Sequence, residues 1–529
     1  MADTVTQLLL ERADDDHIAI TYQGQQRTWR EHLDDARRMA SVVLAAADPR
    51  RPMHIGTLLG NTPTMLTAIA AGALGGYVTA GINNTRRGEA LAGDILRADC
   101  QILLTDAEHR GLLDGLELPG VTVFDTSGPE WASLLADAGE LVPYSEPGPM
   151  DPFMLIFTSG TSGNPKPVRL AHMLIPFAGP PLVEKFGITA DDVCYLSMPL
   201  FHSAALLGGY CVAAASGASI VPARFSASTF LDDIRRHGAT YMNYVGKPLA
   251  YILATPEQPD DTDNPLRAAF GNEATDHDIE DFARRFDCKV WDGYGSSELA
   301  IIVTREPGTP TGSIGKGFPG VAVYNPATVT ECAIAEFDEN GALTNADEAV
   351  GELVNTSGAG LFSGYYNDEA TTADRLREGM YWSGDLAYRD ADDWIYLAGR
   401  SGDWMRVDGE NMTAGPIERI LQRIPGVNQV AVYPVPDDQV GDAVMAAIVL
   451  DDDATLSPDG FATALADQPD LSPKAWPGFV RIAESLPTTA TNKIVKRTLK
   501  AEGATAGDGV LWVREPRTRT YRVVTQVPA

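Results

Sequence analysis

The stretch "LRAAFGNEATDHDIEDFARRF", residues 266–286, decides the fold class. Its first five letters form a short apolar run typical of a buried strand, and "GNEA" then predicts a loop. Thr275 is placed to cap a helix, and the acidic residues that follow it suit the first turn of that helix. Ile279, Phe282 and Phe286 fall on one helical face. The stretch therefore predicts a buried strand, a loop and an amphipathic helix in succession.

The N-terminal region repeats this alternation of strand-like and helical patterns. The apolar runs "HIGTLLG", "YVTAGI" and "CQILLTD" predict strands, and residues 63–76 predict a helix between the first two runs. Strands that alternate with helices are typical of βαβ units. The chain is therefore predicted to have an α/β fold.

The length of the chain predicts more than one domain, and a change in the sequence pattern predicts where the boundary lies. A chain of 529 residues exceeds what one hydrophobic core usually serves, so two or more domains are expected. The predicted boundary lies near "AGRSGDWMRVDGEN", residues 398–411, because a compact pattern of its own follows: a helix "AGPIERILQRI", then strands "QVAVYPV" and "AVMAAIVL". We predict a large domain over 1–401 and a small domain over 402–529.

The composition of the chain limits which partners it is expected to bind and which cell compartment suits it. The formal net charge is -31, and such a surface repels the phosphates of nucleic acids and anionic lipid headgroups. No nucleic-acid partner is expected, and an anionic substrate must be held by local basic groups. The five cysteines form no CxxC pair, which argues against a disulfide framework or a zinc site and suits a reducing cytoplasm.

Two uncharged stretches, residues 63–82 and 204–221, reach the length of a transmembrane helix. Both are rich in Ala, Gly, Ser and Thr and poor in Leu, Ile and Phe. We interpret each as a buried helix that leads into a buried strand. The N-terminus has no basic region of the kind that opens a secretion signal. A cytoplasmic protein is predicted, with peripheral membrane contact left open.

A glycine- and hydroxyl-rich segment, "FTSGTSGNPKPV", follows the apolar run "FMLIF". Its glycines allow backbone N–H groups to converge, its hydroxyls add donors and its lysine adds charge, which together are the ingredients of a phosphate site. The segment is not a Walker A loop, because the lysine follows the last glycine too closely. The alternative is a surface loop. Its candidate phosphate-binding residues are Thr158, Ser159, Gly160, Thr161, Ser162, Gly163 and Lys166.

A second segment of the same form, "KVWDGYGSSELA", occupies residues 289–300. A tyrosine between two glycines can lay its ring against a flat base, and a carboxylate just beyond can reach a magnesium ion that bridges phosphates. A core aromatic and a first-turn helix acid are the alternatives for Tyr294 and Glu298. The candidate nucleotide-binding residues of this segment are Asp292, Gly293, Tyr294, Gly295, Ser296, Ser297 and Glu298.

The pairing of "TSGTSGNPK" with "GYGSSE", followed by "YWSGD" and "AGR", resembles the adenylate-forming superfamily of acyl-CoA synthetases, firefly luciferases and peptide-synthetase adenylation domains. The likeness continues, in the family's order, through "GELVNTSGAGLFSGYYND", "VDGENMTAGPIERIL" and "LPTTATNKIVKRTLK". Residues 224–253 and "GENMTAGPIE" look like its branch of fatty-acid transport proteins and very-long-chain acyl-CoA synthetases. That branch activates long apolar acids, in some bacteria sterol side chains among them.

This resemblance implies a fold and a reaction. The fold is a large N-terminal domain of βαβ-built sheets with a β-rich subdomain, followed by a small, mobile α+β C-terminal domain. The reaction is ATP-dependent: a carboxylate attacks the α-phosphate to give an acyl-adenylate and pyrophosphate, and the thiol of coenzyme A then takes the acyl group. The implied cofactors and co-substrates are ATP, Mg2+ and coenzyme A.

The resemblance also assigns roles at the nucleotide. Residues 158–166 would hold the β- and γ-phosphates, and Thr158 and Glu298 would position magnesium. Asp385 would accept hydrogen bonds from the ribose hydroxyls, and Arg400 would add a positive donor close by. A surface ion pair is the alternative for these two. The residues of the implied adenine site are Gly271, Asn272 and Tyr294.

Lys493 matches the family lysine that enters from the small domain and bridges the substrate carboxylate and the α-phosphate as charge builds. The alternative is one more cation on a solvated basic helix. The family usually has Ser-Gly before this lysine, whereas Thr491 and Asn492 precede it here. At the implied hinge the family has Asp or Lys, whereas this chain has Gly402 and then Asp403.

The resemblance implies that three further residues lie near the acyl pocket and coenzyme A. Amino-acid-activating relatives tend to carry an aspartate at the position of His202, so a substrate ammonium has no obvious partner here. The resemblance makes His202 a gate between the acyl pocket and the coenzyme A tunnel, and a hydrogen-bonded core histidine is the alternative. Gly409 and Glu410 match the turn that lies beside coenzyme A in relatives.

Three other functions stay open on the sequence. An adenylate-only enzyme would share the ATP motifs but would pass its acyl group to a carrier protein. A non-enzymatic lipid-uptake or lipid-binding component would leave the ATP loops and Lys493 unexplained. A kinase or P-loop ATPase would need the Walker A motif that the chain lacks.

Overall fold

The computed structural model describes residues 2–158, 165–339, 341, 343–400, 404–407, 410–437, 441–451, 454–489, 493–515 and 518–524, with the backbone alone at 404, 406, 410, 411 and 441. The chain divides into two compact units. The first unit contains Met1–Ala300 and Ala359–Asp374, and the second contains Ile301–Gly358 and Arg375–Ala529. The domain boundary near residue 402 stays a prediction.

The helices of the described chain alternate with strands through the first unit and are fewer in the second. They are α1 (Val5–Leu10), α2 (Trp29–Ala46), α3 (Pro63–Gly75), α4 (Gly88–Arg97), α5 (Pro129–Ala136), α6 (Leu174–Phe186), α7 (Ser203–Ala205), α8 (Cys211–Ser216), α9 (Phe230–His237), α10 (Pro248–Leu253), α11 (Asp276–Phe286), α12 (Ala346–Ala349), α13 (Glu369–Arg375), α14 (Ala414–Leu421), α15 (Pro458–Ala466) and α16 (Lys496–Glu502). A π-helical turn, Leu206–Tyr210, joins α7 to α8.

The strands form sheets within each unit. They are β1 (Ile18–Tyr22), β2 (Gln25–Thr28), β3 (His54–Leu58), β4 (Val78–Gly81), β5 (Ile102–Thr105), β6 (Thr122–Asp125), β7 (Pro152–Thr158), β8 (Lys166–Ala171), β9 (Val193–Leu196), β10 (Ser219–Pro222), β11 (Tyr241–Val245), β12 (Ala268–Asn272), β13 (Lys289–Gly295), β14 (Ile302–Thr304), β15 (Lys316–Gly317), β16 (Val321–Asn325), β17 (Thr330–Glu331), β18 (Gly351–Asn355), β19 (Leu376–Arg377), β20 (Met380–Arg389), β21 (Ile395–Arg400), β22 (Trp404–Val407), β23 (Glu410–Thr413), β24 (Val427–Asp437), β25 (Gly441–Leu450), β26 (Phe479–Ile482), β27 (Val510–Arg514) and β28 (Tyr521–Val524).

The first unit contains two mainly parallel sheets. In one, the strand order is β13-β12-β11-β9-β10-β1-β2, and only the β1–β2 pair is antiparallel. In the other, the order is β6-β5-β3-β4-β7-β8, and only the β7–β8 pair is antiparallel. Parallel neighbours joined through helices are the βαβ arrangement that the sequence predicts. The α/β prediction is confirmed for this unit.

The stretch at 266–286 folds nearly as its pattern predicts. Thr275 caps α11 through a capping box with Asp278, and Phe282 and Phe286 are buried against Phe230, with ring centroids 5.9 and 5.6 Å from that of Phe230. The strand ends later than predicted, at Asn272, because β12 stays paired with β11 and β13 on both sides. Gly271 and Asn272, predicted to lie in a loop, therefore belong to the strand.

The two long uncharged stretches are buried helices that lead into buried strands, as the sequence predicts. The first contains α3 and β4, and the second contains the π-helical turn, α8 and the start of β10. Within the described part of the chain, no helix combines the length and the apolar character needed to cross a membrane.

The second unit is mainly antiparallel. One sheet has the order β17-β16-β18-β20-β19, with β21 paired to β20. The other has the order β23-β22-β25-β26-β27-β28, with β24 paired to β25. A core that includes Met405, Phe461 and Trp512 packs helices α14 and α15 against this second sheet. A β-rich part and a C-terminal α+β part are therefore present, as predicted.

Candidate active site

The lysine of the first glycine-rich segment lies opposite the threonine that begins it. Strands β7 and β8 form an antiparallel hairpin in which Thr158 is the register partner of Lys166. Thr158 lies at the carboxyl end of β7, next to β4 in a parallel sheet. Ligands of open α/β sheets bind at this end of the strands. The predicted residues Ser159, Gly160, Thr161, Ser162 and Gly163 lie outside the described residues.

The ammonium of Lys166 is held by the segment 359–374, which returns to the first unit after a long excursion of the chain. Its Nζ donates to Thr371 Oγ1 at 2.9 Å and lies 5.6 Å from the centroid of the Tyr365 ring. The ring face of a tyrosine attracts a cation at this distance. The lysine is therefore oriented by two side chains about 200 residues further along the chain.

The carboxylate of Glu298 is held by the same tyrosine. Tyr365 Oη donates to Glu298 Oε1 at 2.8 Å, and the tyrosine side chain is buried, with 3% of its surface exposed. A hydrogen bond to an ionised carboxylate is stronger than one between neutral groups. The structure thus brings Lys166 and Glu298, predicted separately on two segments, into one group through Tyr365.

The predicted adenine site lies where β11, β12 and β13 end side by side. Gly271 is the register partner of Asp292 and Asn272 that of Gly293, and Asn272 Nδ2 donates to the Gly293 carbonyl at 2.9 Å. Tyr294 follows on the same strand and is half-buried. Gly271, Asn272, Gly293 and Tyr294 are therefore neighbours at the carboxyl edge of this sheet, as a shared site requires.

Asp292 differs from the other predicted nucleotide ligands in its environment. Its side chain is buried, and Oδ2 accepts hydrogen bonds from Tyr244 Oη at 2.9 Å and from the Ala274 backbone N–H at 3.1 Å. These bonds fix the chain where β12 leaves the sheet. A nucleotide contact by Asp292 stays a prediction. The hydrogen bonds that the structure shows hold the backbone in place beside the predicted adenine site.

Gly271 and Gly295 form a matched pair for a test of that site. A Cβ at Gly271 would lie 2.5 Å from the backbone oxygen and ring of Tyr244, whereas among the described residues a Cβ at Gly295 would meet only Asn272 Nδ2, at 3.9 Å. We expect Gly271→Ala to lower the free energy of unfolding by about 1–3 kcal/mol, as overpacking does. Gly295→Ala should change it by less than about 0.5 kcal/mol. Urea unfolding followed by tryptophan fluorescence measures both, and equal losses would contradict the close approach.

The segment that carries His202 lies beside the second glycine-rich segment. Ser203 Oγ and Ser297 Oγ are 2.8 Å apart and share a hydrogen bond. The backbone N–H of His202 donates to the Pro199 carbonyl at 3.0 Å, and the imidazole lies 4.7 Å, centroid to centroid, from the ring of Phe201. His202 therefore precedes a residue that contacts the predicted nucleotide loop, and its role as a gate stays a prediction. Ser296 precedes Ser297 and is half-buried.

In the second unit, Asp385 and Arg400 lie opposite each other on β20 and β21. Arg400 Nε lies 3.3 Å from Asp385 Oδ1, and the arginine side chain is the more exposed of the two. The backbone N–H of Asp385 donates to Ser383 Oγ at 3.0 Å, which fixes the turn before it. The ion pair that the sequence offered as the alternative is therefore present. Ribose and phosphate binding by these two residues stay predictions.

Lys493 stands on a small hairpin before α16. The Thr489 N–H donates to the Lys493 carbonyl at 2.8 Å, and the Lys493 N–H donates to Thr489 Oγ1 at 3.1 Å. Thr488 and Ile494 pair as an antiparallel bridge. The neighbouring Lys496 ammonium lies 2.8 Å from Glu418 Oε1. The flanking Thr491 and Asn492 lie outside the described residues.

Two groups of predictions fall wholly or partly outside the described residues. The hinge residues Gly402 and Asp403 lie outside them, as does Gly409. Glu410 begins β23, where its backbone pairs with Val407 in the antiparallel hairpin. Its side chain is not among those described.

Tyr365 and Thr371 are site residues that the sequence analysis did not single out. Tyr365 lies in the quoted stretch "GELVNTSGAGLFSGYYND", which matched the family without any residue being given a role. The adjacent pair Tyr365 and Tyr366 offered no local signal to choose between them. The tyrosine that faces the site is identified only by the structure, through its bonds to Glu298 and Lys166.

Known proteins resemble this chain over nearly its whole length. The AMP-binding enzyme family matches residues 10–366, and the AMP-binding enzyme C-terminal domain matches residues 416–493. The medium/long-chain-fatty-acid–CoA ligase FadD17 of Mycobacterium marinum is 48% identical over 514 residues, which are 97% of this chain and 99% of that protein. The steroid-22-oyl-CoA synthetase of Rhodococcus jostii is 43% identical over 521 residues, 96% of this chain and 93% of that protein.

A more distant relative and a solved structure complete the comparison. Human long-chain fatty acid transport protein 5 is 30% identical over 492 residues, 85% of this chain and 69% of that protein, in line with the predicted branch. The crystal structure of ATP-bound MatB from Rhodopseudomonas palustris has a TM-score of 0.82 at 23% identity and covers 95% of this chain and 99% of that one. The predicted fold of a large N-terminal and a small C-terminal domain is confirmed by this likeness.

Proposed function

Because the chain belongs to the AMP-binding enzyme family, we propose that it is an AMP-forming acid–CoA ligase that activates medium- or long-chain fatty acids. The observation that carries the proposal is the group formed by Thr158, Lys166 and Glu298 at the carboxyl end of β7. Thr158 is the register partner of Lys166 on the neighbouring strand, and Tyr365 links the ammonium of Lys166 to the carboxylate of Glu298.

The residues of this group fit a magnesium–triphosphate. Lys166 supplies a positive charge in a chain whose net charge is -31, and Thr158 supplies a hydroxyl on the opposite strand. Mg2+ is commonly bound by one or two carboxylates together with substrate phosphates, and Glu298 supplies one carboxylate. The metal, when bound, would neutralise charge on the phosphates during transfer.

The chemistry that we propose has two steps, and the side chains act by position and charge. The fatty-acid carboxylate attacks the α-phosphate of ATP, and pyrophosphate leaves. Lys166 and Thr158 would hold the leaving phosphates, and Glu298 would hold the metal, which would supply charge neutralisation. The coenzyme A thiol then attacks the acyl carbonyl, and AMP leaves. Charge placed in advance where it develops in the transition state lowers the barrier.

The remaining assignments belong to this proposal. Asp385 binds the ribose hydroxyls and Arg400 binds near the ribose and phosphate, and Lys493 bridges the carboxylate and the α-phosphate. His202, Gly409 and Glu410 line the acyl and coenzyme A path. The small domain, 402–529, turns about Gly402 and Asp403 between the two steps, since glycine allows wide backbone freedom. We place the enzyme in the cytoplasm.

The acid is proposed from the relatives. The fatty-acid–CoA ligase of M. marinum and the steroid-22-oyl-CoA synthetase of R. jostii both act on carboxylates attached to large apolar groups, as their names state. The higher identity is to the fatty-acid enzyme, 48% against 43%. We therefore propose a medium- or long-chain fatty acid as the substrate.

Product analysis by mass spectrometry tests the proposal. The purified protein is incubated with ATP, Mg2+ and a panel of medium-chain, long-chain and sterol-side-chain acids, with and without coenzyme A. We expect fatty acyl-CoA only when coenzyme A is present. Acyl-CoA of the sterol acids alone would correct the acid class. Acyl-adenylate that accumulates while coenzyme A is untouched would indicate transfer to a carrier protein, and no product from any acid would overturn the proposal.

A further inference from the structure

Tyr365 links the two charged side chains on which the proposed phosphate site depends. Its hydroxyl donates to Glu298 Oε1 at 2.8 Å, and its ring centroid lies 5.6 Å from Lys166 Nζ. Glu298 and Lys166 are far apart in sequence. Lys166 begins a strand of one sheet, and Glu298 follows a strand of the other. One buried aromatic side chain thus contacts both.

The backbone of Tyr365 is itself fixed against β8. Tyr365 forms an antiparallel bridge with Val168, the Arg169 N–H donates to the Gly364 carbonyl at 3.1 Å, and the Tyr366 N–H donates to the Pro167 carbonyl at 2.8 Å. The Tyr365 N–H donates to Thr372 Oγ1 at 3.0 Å. The tyrosine is therefore immobilised on the strand that begins with Lys166.

The neighbouring Tyr366 has different partners. Position in this segment alone therefore does not bring a tyrosine into contact with the proposed phosphate site. Its hydroxyl donates to Asp99 Oδ2 at 2.9 Å, and its ring lies against the guanidinium of Arg169 and the imidazole of His54. The two adjacent tyrosines thus point to different partners. Only Tyr365 contacts the residues proposed to hold the metal and the phosphates.

We propose that Tyr365 is a positioning residue that sets the orientation of the Glu298 carboxylate for Mg2+ and, with Thr371, the orientation of Lys166 for the phosphates. This inference rests on the proposed function. Because the tyrosine hydroxyl holds Oε1, it fixes the rotation of the carboxylate that would hold the metal. Removing a group that orients a metal ligand typically weakens metal affinity about 10–100-fold.

The test measures ATP binding by titration calorimetry in the absence of any acid, at a series of free Mg2+ concentrations. Tyr365→Phe keeps the ring and its packing and removes only the hydroxyl. We expect the Mg2+ concentration that gives half of the maximal gain in ATP affinity to rise about tenfold. Tyr366→Phe, the matched control, should leave it unchanged. Thr371→Val should weaken ATP binding equally with and without Mg2+, because its partner is Lys166.

A double-mutant cycle with Glu298→Gln separates positioning from a general structural effect. If Tyr365 acts through Glu298, adding Tyr365→Phe to Glu298→Gln should weaken the Mg2+ response by less than about twofold further. Full additivity, or a Tyr365→Phe protein that responds to Mg2+ as the wild type does, would overturn the inference. Should Tyr365→Phe fail to fold, Thr372→Val loosens the same tyrosine and must shift the Mg2+ response in the same direction.

ATP binding by the wild-type protein shows whether a negative result contradicts the role of Tyr365 or the proposed function itself. A wild-type protein that binds ATP in a Mg2+-dependent way, with variants that do not differ from it, contradicts the role of Tyr365 alone. A wild-type protein that binds no ATP contradicts the proposed function and, with it, the role of Tyr365.

Discussion

Replacing Lys493 by alanine is expected to slow acyl-adenylate formation by about 10²–10³-fold, the loss typical of one preorganised charge at a transition state. Thioester formation from preformed acyl-adenylate should change by much less, since the proposed bridge to the α-phosphate acts only in the first step. Pyrophosphate release measures the first step, and acyl-CoA formation from synthetic acyl-adenylate measures the second.

The structure gives Lys493 a defined place from which to act. The Thr489 N–H donates to the Lys493 carbonyl and the Lys493 N–H donates to the Thr489 hydroxyl, and α16 begins three residues later. These bonds use the backbone and the threonine hydroxyl, so truncation of the lysine side chain leaves them in place. The variant should therefore keep the hairpin and fold.

Arg497→Ala is the matched control for Lys493→Ala. Arg497 is exposed on α16, four residues further along, so its removal takes away the same charge from the same surface. It should change neither step by more than about twofold, as is usual for surface substitutions. Equal losses in the two steps for Lys493→Ala, or equal effects of the two variants on the first step, would contradict the assigned role.

The second large effect is expected for Glu298→Gln. The amide keeps the size of the side chain and an oxygen that can accept from Tyr365, but it removes the negative charge proposed to face the metal. We expect kcat/KM for MgATP in adenylation to fall about 10²–10³-fold. Initial rates of pyrophosphate release at several Mg2+ concentrations measure it, and excess Mg2+ should recover only part of the loss.

Glu257→Gln controls for the loss of one carboxylate from the first unit. Glu257 pairs with Arg284 at 2.8 Å on the surface, and more than half of each side chain is exposed. An exposed pair of this kind contributes little to stability, so activity should stay within about twofold of the wild type. A Glu298→Gln enzyme with the kinetics of this control would contradict the metal role.

The local parts of the fold were predictable from sequence because their causes are local. Thr275 and the spacing of Phe282 and Phe286 predict α11, and apolar runs predict the strands before it and at the N-terminus. The end of β12 was less predictable, since Gly271 and Asn272 remain in the sheet through pairing with β11 and β13. Pairing partners that lie elsewhere in the chain decide where a strand stops.

The candidate site was predictable only as separate pieces. Glycine-rich segments and a lysine identify Thr158, Lys166 and Glu298 individually, and the register of the β7–β8 hairpin then places the first two opposite each other. Tyr365 could not be identified in this way, because its importance depends on a hydrogen bond to a residue 67 positions earlier in the chain. No local pattern distinguishes it from Tyr366.

The excursion of the chain between Ala300 and Ala359 has a consequence for biosynthesis. When Glu298 has left the ribosome, the segment that fixes it and Lys166 has not yet been translated. At usual elongation rates of about 5–20 residues per second, residues 301–374 take about 4–15 s more. If the first unit folds as it emerges, the edge of β8 that pairs with Tyr365 is uncovered during that interval. On the proposed function, the nucleotide site therefore cannot be complete before residue 374 emerges, and an unpaired strand edge in the meantime is a place where other chains could pair.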